Sequence, residues 1–138
     1  MPHRSRPTIF IIDDDASVRR ALGRVMTLAG LDHMTFESAD AFLAASPSAA
    51  RGCIVADMTL PGLSGMELKQ TLNASQSTMP LIFLTANDSP ECREAAHEAG
   101  AEGYFRKPVD TQALLDAVHW ALNEQPLLNT TNNKTERP

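Results

Sequence analysis

IFIIDDDASVRR, residues 9–20, changes character at its middle. Ile9 to Ile12 is a short apolar run rich in β-branched residues, the pattern of a strand buried on both faces. Three aspartates follow, Asp13 to Asp15. From Ala16 onward Val18, Ala21, Leu22, Val25, Leu28 and Ala29 recur at helical spacing, and Gly30 stands where a helix C-cap glycine belongs. The stretch is a strand, a loop and a helix in succession. It also poses an electrostatic problem. Clustered carboxylates at the end of a buried strand are costly unless a cation sits among them.

Outward from this stretch, apolar runs and helical patterns keep alternating. With TIFII (8–12) as the first strand, further strands are expected at HMTF (33–36), CIVA (53–56), LIFL (81–84) and GYF (103–105). Helices are expected over 16–29, from Ser38 or Ala39 to Ala45, over 65–73 behind a Ser64 cap, over 90–99 before Gly100, and from a cap at Asp110 or Thr111 to about Asn123. Five strands alternating with five helices imply an α/β fold, a doubly wound parallel sheet covered on both faces by right-handed crossovers. In such sheets the binding crevice lies at the carboxyl ends of the strands. Residues 6–124 are expected to form this domain. The stretch 125–138, polar with two prolines and an Asn/Thr cluster, reads as a flexible tail or linker.

Composition narrows the function. The chain has 138 residues, 43% hydrophobic and 21% charged, enough for one domain with one sizeable core. Its net charge of −5 argues against a domain that neutralises phosphates, so direct nucleic-acid binding by it is not expected. The two cysteines, Cys53 and Cys92, lack metal-ligand spacing, and Cys53 in its apolar run reads as a reduced core thiol. The opening MPHRSRP is polar, and no apolar run nears the roughly 18 residues of a membrane span, so a cytoplasmic location is expected. His3, His33, His97 and His119 are scattered and read as structural or exposed.

The residues that follow each strand form a consistent set. Asp13 and Asp14 follow the first, Asp57 the third, Thr85 and Ala86 the fourth, and Lys107 and Pro108 the fifth. The fold would gather three carboxylates, a hydroxyl and an ammonium at one sheet edge. Three carboxylates suit a hard divalent cation with oxygen ligands, Mg²⁺. Lysine and threonine suit the oxygens of a phosphoryl group. A carboxylate beside a metal can itself be the nucleophile and form an acyl phosphate.

In FIIDDD, IVADMTLPGLSG, LTAN and YFRKPV, each at a strand end and in this order, the chain resembles the response-regulator receiver domains of bacterial two-component signalling. The resemblance covers roughly residues 7 to 123. It implies a flavodoxin-like sheet of strand order 2-1-3-4-5, a fold for which a chemotaxis receiver is itself a standard example. It implies Asp57 as phosphoacceptor, taking the phosphoryl group from a phosphohistidine on a sensor histidine kinase. Mg²⁺ would be held by Asp14, by Asp13 through water, by Asp57 and by the backbone carbonyl of Thr59. Lys107 and Thr85, with Ala86 beside it, would bind the phosphoryl group, and the Lys107–Pro108 bond would be cis. Tyr104 would turn inward as Thr85 shifts, changing the face made by the fourth helix, fifth strand and fifth helix, where an output domain or partner protein binds. The domain would promote its own phosphorylation and dephosphorylation rather than act as an enzyme on a separate substrate.

DMTLPGLSGMEL most resembles receivers that precede helix-turn-helix DNA-binding output domains. These 138 residues contain no such domain, leaving either a receiver standing alone or one followed by an output domain beyond Pro138. Thr59 and Asn87, two residues after Asp57 and Thr85, flank access to the phosphoryl group and should affect its lifetime. Asp15 reads as a helix-start acid rather than a metal ligand. Other readings fit less well. An aspartyl-phosphate phosphatase would want a second aspartate two residues beyond Asp57, where Thr59 stands. A flavodoxin-like cofactor binder would want a phosphate-cradling loop in place of the first aspartates. A receiver that works without phosphorylation would not need the full acidic set. In the last helix, Leu115, Trp120 and Leu122 widen the apolar arc past half the circumference. Trp120 or Leu115 is therefore expected either to serve a docking or phosphorylation-dependent dimer surface or to be covered by the sheet and tail.

Overall fold

The computed structural model describes residues 6–45 and 51–124. Five strands and five helices alternate along it: β1 Thr8–Ile12, α1 Ala16–Leu28, β2 Asp32–Phe36, α2 Ala39–Ala45, β3 Gly52–Asp57, α3 Gly65–Ala74, β4 Leu81–Thr85, α4 Pro90–Glu98, β5 Gly103–Arg106 and α5 Thr111–Glu124. The strands form one parallel sheet in the order β2-β1-β3-β4-β5. The expected tail, 125–138, lies outside the described residues.

Alternation along the central strands divides the core in two. Ile9, Ile11, Cys53, Val55, Ile82 and Leu84 face Leu22 and Met26 of α1 and Leu114 and Val118 of α5. Phe10, Ile12, Ile54, Ala56, Leu81 and Phe83 face Phe42 of α2, Leu68 of α3 and Ala96 of α4. Both faces of β1, β3 and β4 are therefore covered, which is why their sequences are unbroken apolar runs. Burial also pushes the Cys53 thiol up to about 12, so it stays protonated.

Local signals set most helix ends. Asp15 caps α1, its carboxylate accepting the Ser17 N–H at 2.8 Å and the Ser17 hydroxyl at 2.7 Å; these bonds hold its pKa below the ordinary value. Ser64 and Glu67 form a reciprocal capping box at the start of α3. Asp110 caps α5 by accepting from the N–H groups of Gln112 and Ala113. After α1 and α4 the chain turns through Gly30 at φ 77° and Gly100 at φ 88°, which a residue with a Cβ adopts only at a cost.

The register brings the strand ends level. Ile12 pairs with Ala56, Asp57 with Leu84, and Thr85 with Arg106. The residues at or just after these positions are Asp13, Asp57, Thr85 and Lys107, so they emerge along one edge of the sheet.

Candidate functional site at the carboxyl edge of the sheet

Four elements converge at this edge. Asp13 leaves β1, Asp57 ends β3, Thr85 ends β4 and Lys107 follows β5. Oxygens of Asp13, Asp14 and Asp57 all lie within 4.8 Å of one another. Asp13 and Asp57 are buried and Asp14 is exposed, so the cluster opens to solvent on the Asp14 side.

Lys107 is the cation in the cluster. Its Nζ lies 2.8 Å from Asp13 Oδ2 and 3.0 Å from Asp57 Oδ2. The contact to Asp57 is an aligned hydrogen bond. The contact to Asp13 Oδ2 is the shorter of the two, an ion pair to a buried carboxylate oxygen. One ammonium therefore serves two carboxylates. Burial raises the Asp13 carboxyl above its ordinary value, although Lys107 and the Asp15 N–H, 2.9 Å from Asp13 Oδ1, pull it back. For Lys107, burial works against the charged form, but the contacts to Asp13 and Asp57 outweigh it and raise the pKa.

The backbone fixes the carboxylates. Thr59 donates its N–H to Asp57 Oδ1 at 2.9 Å, leaving Oδ2 for Lys107. The Arg19 guanidinium, reaching back from α1, donates to the Asp13 carbonyl at 2.6 Å. Thr85 is buried, and its Oγ1 accepts the Asn87 N–H at 3.0 Å. Ala86 is exposed beside it. The Lys107–Pro108 peptide is cis.

An all-oxygen set of three carboxylates, two of them sharing one ammonium, fits a hard divalent cation such as Mg²⁺. The raised Asp13 carboxyl gives a signed prediction. A carboxyl that is harder to ionise in the fold than in the unfolded chain destabilises the fold once ionised. Asp13→Asn should therefore stabilise the metal-free chain at pH 7. The gain should fade as pH falls through the raised folded value towards the ordinary value of 3.8. Urea titrations in EDTA at several pH values would measure it, and a loss of stability at pH 7 would contradict it.

Tyr104 lies on β5 at the far side of Thr85 from the carboxylates. Its hydroxyl donates to Asp88 Oδ1 at 3.0 Å, and one guanidinium nitrogen of Arg93 contacts both Asp88 oxygens, at 2.9 and 3.0 Å. Asp88 and Arg93 were not expected from sequence. The Asp88–Tyr104 separation of 16 residues has no motif to announce it. In α5, Leu115 packs partly against the core, whereas Trp120 is 41% exposed. No described helix is long and apolar enough to cross a membrane.

Comparison with known proteins agrees with this geometry. Residues 9–119 match the response regulator receiver domain family. The transcriptional regulatory protein TdiR of Thauera aromatica is 41% identical over 115 residues, covering 83% of this chain and 51% of TdiR. The transcriptional regulatory protein FixJ of Bradyrhizobium diazoefficiens is 34% identical over 116 residues, covering 84% of this chain and 57% of FixJ. The chain thus spans about half the length of these curated relatives. The crystal structure of FixJ-N superposes with a TM-score of 0.81 at 30% identity, covering 91% of this chain and 100% of FixJ-N. With this sheet order, this acidic edge and a family match over most of its length, the chain belongs to the response regulator receiver domains of two-component systems.

Proposed function

We propose that this receiver accepts a phosphoryl group on Asp57 from the phosphohistidine of a sensor histidine kinase. The observation that carries the proposal is Lys107 bridging Asp13 and Asp57 at 2.8 and 3.0 Å, with Asp14 beside them. A carboxylate oxygen of Asp57 would bond to phosphorus as the P–N bond breaks, its electron pair returning to the imidazole. Lys107, already within reach of both carboxylates, would neutralise charge on the transferring oxygens. Thr85 would hydrogen-bond the phosphoryl group, with Ala86 beside it. Asp13, Asp14, Asp57 and the Thr59 carbonyl would hold Mg²⁺, which when bound supplies charge neutralisation to the phosphoryl oxygens.

The modification would add about −1.5 to −2 charges at neutral pH. Thr85 would move towards the phosphoryl group and Tyr104 would turn inward. The α4–β5–α5 face would then present a changed surface to an output domain or partner protein, or to a second copy in a phosphorylation-dependent dimer, with Trp120 or Leu115 as docking contacts. By linkage, a partner that prefers this conformation stabilises the phosphorylated chain.

Intact-mass measurement after incubation with acetyl phosphate and Mg²⁺ tests the acceptor. One phosphoryl adduct is expected on the wild type and none on Asp57→Asn. An adduct that survives the substitution, or no adduct on the wild type, would refute the assignment.

A further inference from the structure

We infer that Asp88 and Arg93 are positioning residues that latch the Tyr104 ring to the β4–α4 loop, and that this latch sets how readily phosphorylation turns the ring. The inference rests on the proposed reading of Thr85 and Tyr104 as a coupled switch and adds what opposes that switch.

The geometry has three parts. The Tyr104 hydroxyl donates to Asp88 at 3.0 Å. Arg93, in the first turn of α4, holds both oxygens of the same carboxylate. Asp88 immediately precedes Ser89, the α4 N-cap, whose hydroxyl oxygen accepts the Cys92 N–H. Loop, helix start and ring are therefore tied at one carboxylate. That carboxylate is 22% exposed and Arg93 is 56% exposed, so the ring's polar end sits at a solvent-facing ion pair rather than in the interior.

An exposed ion pair alone contributes little. The phenol changes this, because a hydrogen bond to an ionised acceptor is about twice as strong as one between neutral groups. The Tyr104 hydroxyl also keeps Asp88 below the ordinary carboxylate pKa, with Arg93 adding to the effect, so the acceptor is ionised at neutral pH. A change of χ1 rotamer at Tyr104 swings the hydroxyl through several ångströms and must break the bond.

The latch also connects to the site. Thr85 Oγ1 accepts the Asn87 N–H at 3.0 Å, one residue before Asp88. If the Thr85 hydroxyl leaves for a phosphoryl oxygen, Asn87 loses its anchor and Asp88 loses its fixed place. The same movement that engages the phosphoryl group would loosen the carboxylate that holds the ring. Without the latch, the ring would be freer to turn beforehand, and by linkage the chain would be easier to phosphorylate.

Tyr104 is the chain's one tyrosine, so ring-¹³C-labelled tyrosine gives NMR signals from this residue alone. The experiment compares wild type, Asp88→Ala and Arg93→Ala, with and without acetyl phosphate and Mg²⁺, and follows the adduct by intact mass. Without phosphodonor, the Asp88→Ala signals should move towards the position that wild type takes when phosphorylated, with the turned-to-latched ratio up about tenfold. Arg93→Ala should move the same way by less. Asp88→Ala should also form adduct faster, and this difference should vanish in a Tyr104→Phe background. An Asp88→Ala ring that stays at the wild-type position overturns the latch, even while phosphorylation still moves the wild-type ring and the switch reading stands. A wild-type ring that stays still although the adduct has formed overturns the switch reading and the latch with it.

Discussion

Lys107→Ala should lose about 3 kcal/mol of stability at pH 7 in EDTA, and Mg²⁺ should restore most of the loss. The lysine side chain is 20% exposed, but the Asp13 carboxylate it contacts is 1% exposed. Removing one partner of a buried pair leaves the other charge uncompensated, which typically costs about 3–5 kcal/mol. The lower end applies here, because Asp13 keeps the Asp15 N–H and the cluster opens to solvent at Asp14. Without the ammonium, three carboxylates within 4.8 Å face one another with no cation. A divalent cation is then both the missing countercharge and a ligand of the folded chain alone. At a hundredfold excess over its dissociation constant such a ligand adds about 2.7 kcal/mol.

Urea titrations of wild type and Lys107→Ala, in EDTA and in MgCl₂ at matched ionic strength, give the result directly. The variant should show the larger Mg²⁺-dependent rise in midpoint and the tighter Mg²⁺ affinity. Equal losses with and without Mg²⁺ would mean that Lys107 does not balance the acidic cluster. The pH dependence has a defined sign. The variant's deficit should shrink as pH falls and Asp13 takes up its proton, because a neutral carboxyl no longer needs the lysine. Asp13→Asn removes the same repulsion from the other side, so the two substitutions together should cost less than the sum of their separate effects.

Much of this site was legible in the sequence because each of its residues is local to a strand end. An apolar run of four or five residues states where a strand stops, and parallel pairing brings such stops level. Asp13, Asp57, Thr85 and Lys107 needed nothing more to be placed together. The element ends also read well where a side chain makes the cap, as at Asp15, Ser64 and Asp110. Strand limits read less well. β3 runs from Gly52 to Asp57 rather than over 53–56, because pairing with Thr8 draws in a glycine of poor strand propensity. β2 begins at Asp32, a poor strand former whose carboxylate accepts from Arg6 at 3.0 Å. The contacts that escaped the sequence are tertiary. Asp88 with Tyr104 and Arg19 with the Asp13 carbonyl join residues whose spacing has no periodicity to read. The width of the α5 apolar arc left two readings for Leu115 and Trp120; among the described residues Leu115 packs partly against the core and Trp120 is 41% exposed.

Gly65→Ala should destabilise the chain by about 3 kcal/mol and sharply reduce phosphoryl incorporation. Gly65 opens α3 at the end of the loop that follows Asp57, and its N–H donates to the Met58 carbonyl at 3.1 Å. A Cβ at this position would collide with the Asp57 carbonyl oxygen and lie 2.9 Å from Met58 Cα. Both obstacles are backbone, so no rotamer change relieves them. Either the first turn of α3 moves outward or the end of β3 moves inward. The second option is resisted by pairing of β3 with β1 and β4 on both sides. The strain therefore falls on the loop from Met58 to Ser64, which carries the Thr59 N–H that orients Asp57 Oδ1. Overpacking typically costs about 1–3 kcal/mol, and the upper end applies where the neighbour is main chain. Helix propensity opposes this loss by at most about 1 kcal/mol, since alanine is the better helix former. Gly100→Ala is the control. Its φ of 88° makes alanine unfavourable by about 1–2 kcal/mol, but a Cβ there would meet nothing within 4 Å. It should lower stability through conformation alone and leave the Asp57 adduct unchanged. Urea midpoints and intact-mass yields for both variants separate the two mechanisms. A Gly65→Ala chain with wild-type stability and wild-type adduct would show that the α3 start has room to yield and does not position the phosphoacceptor.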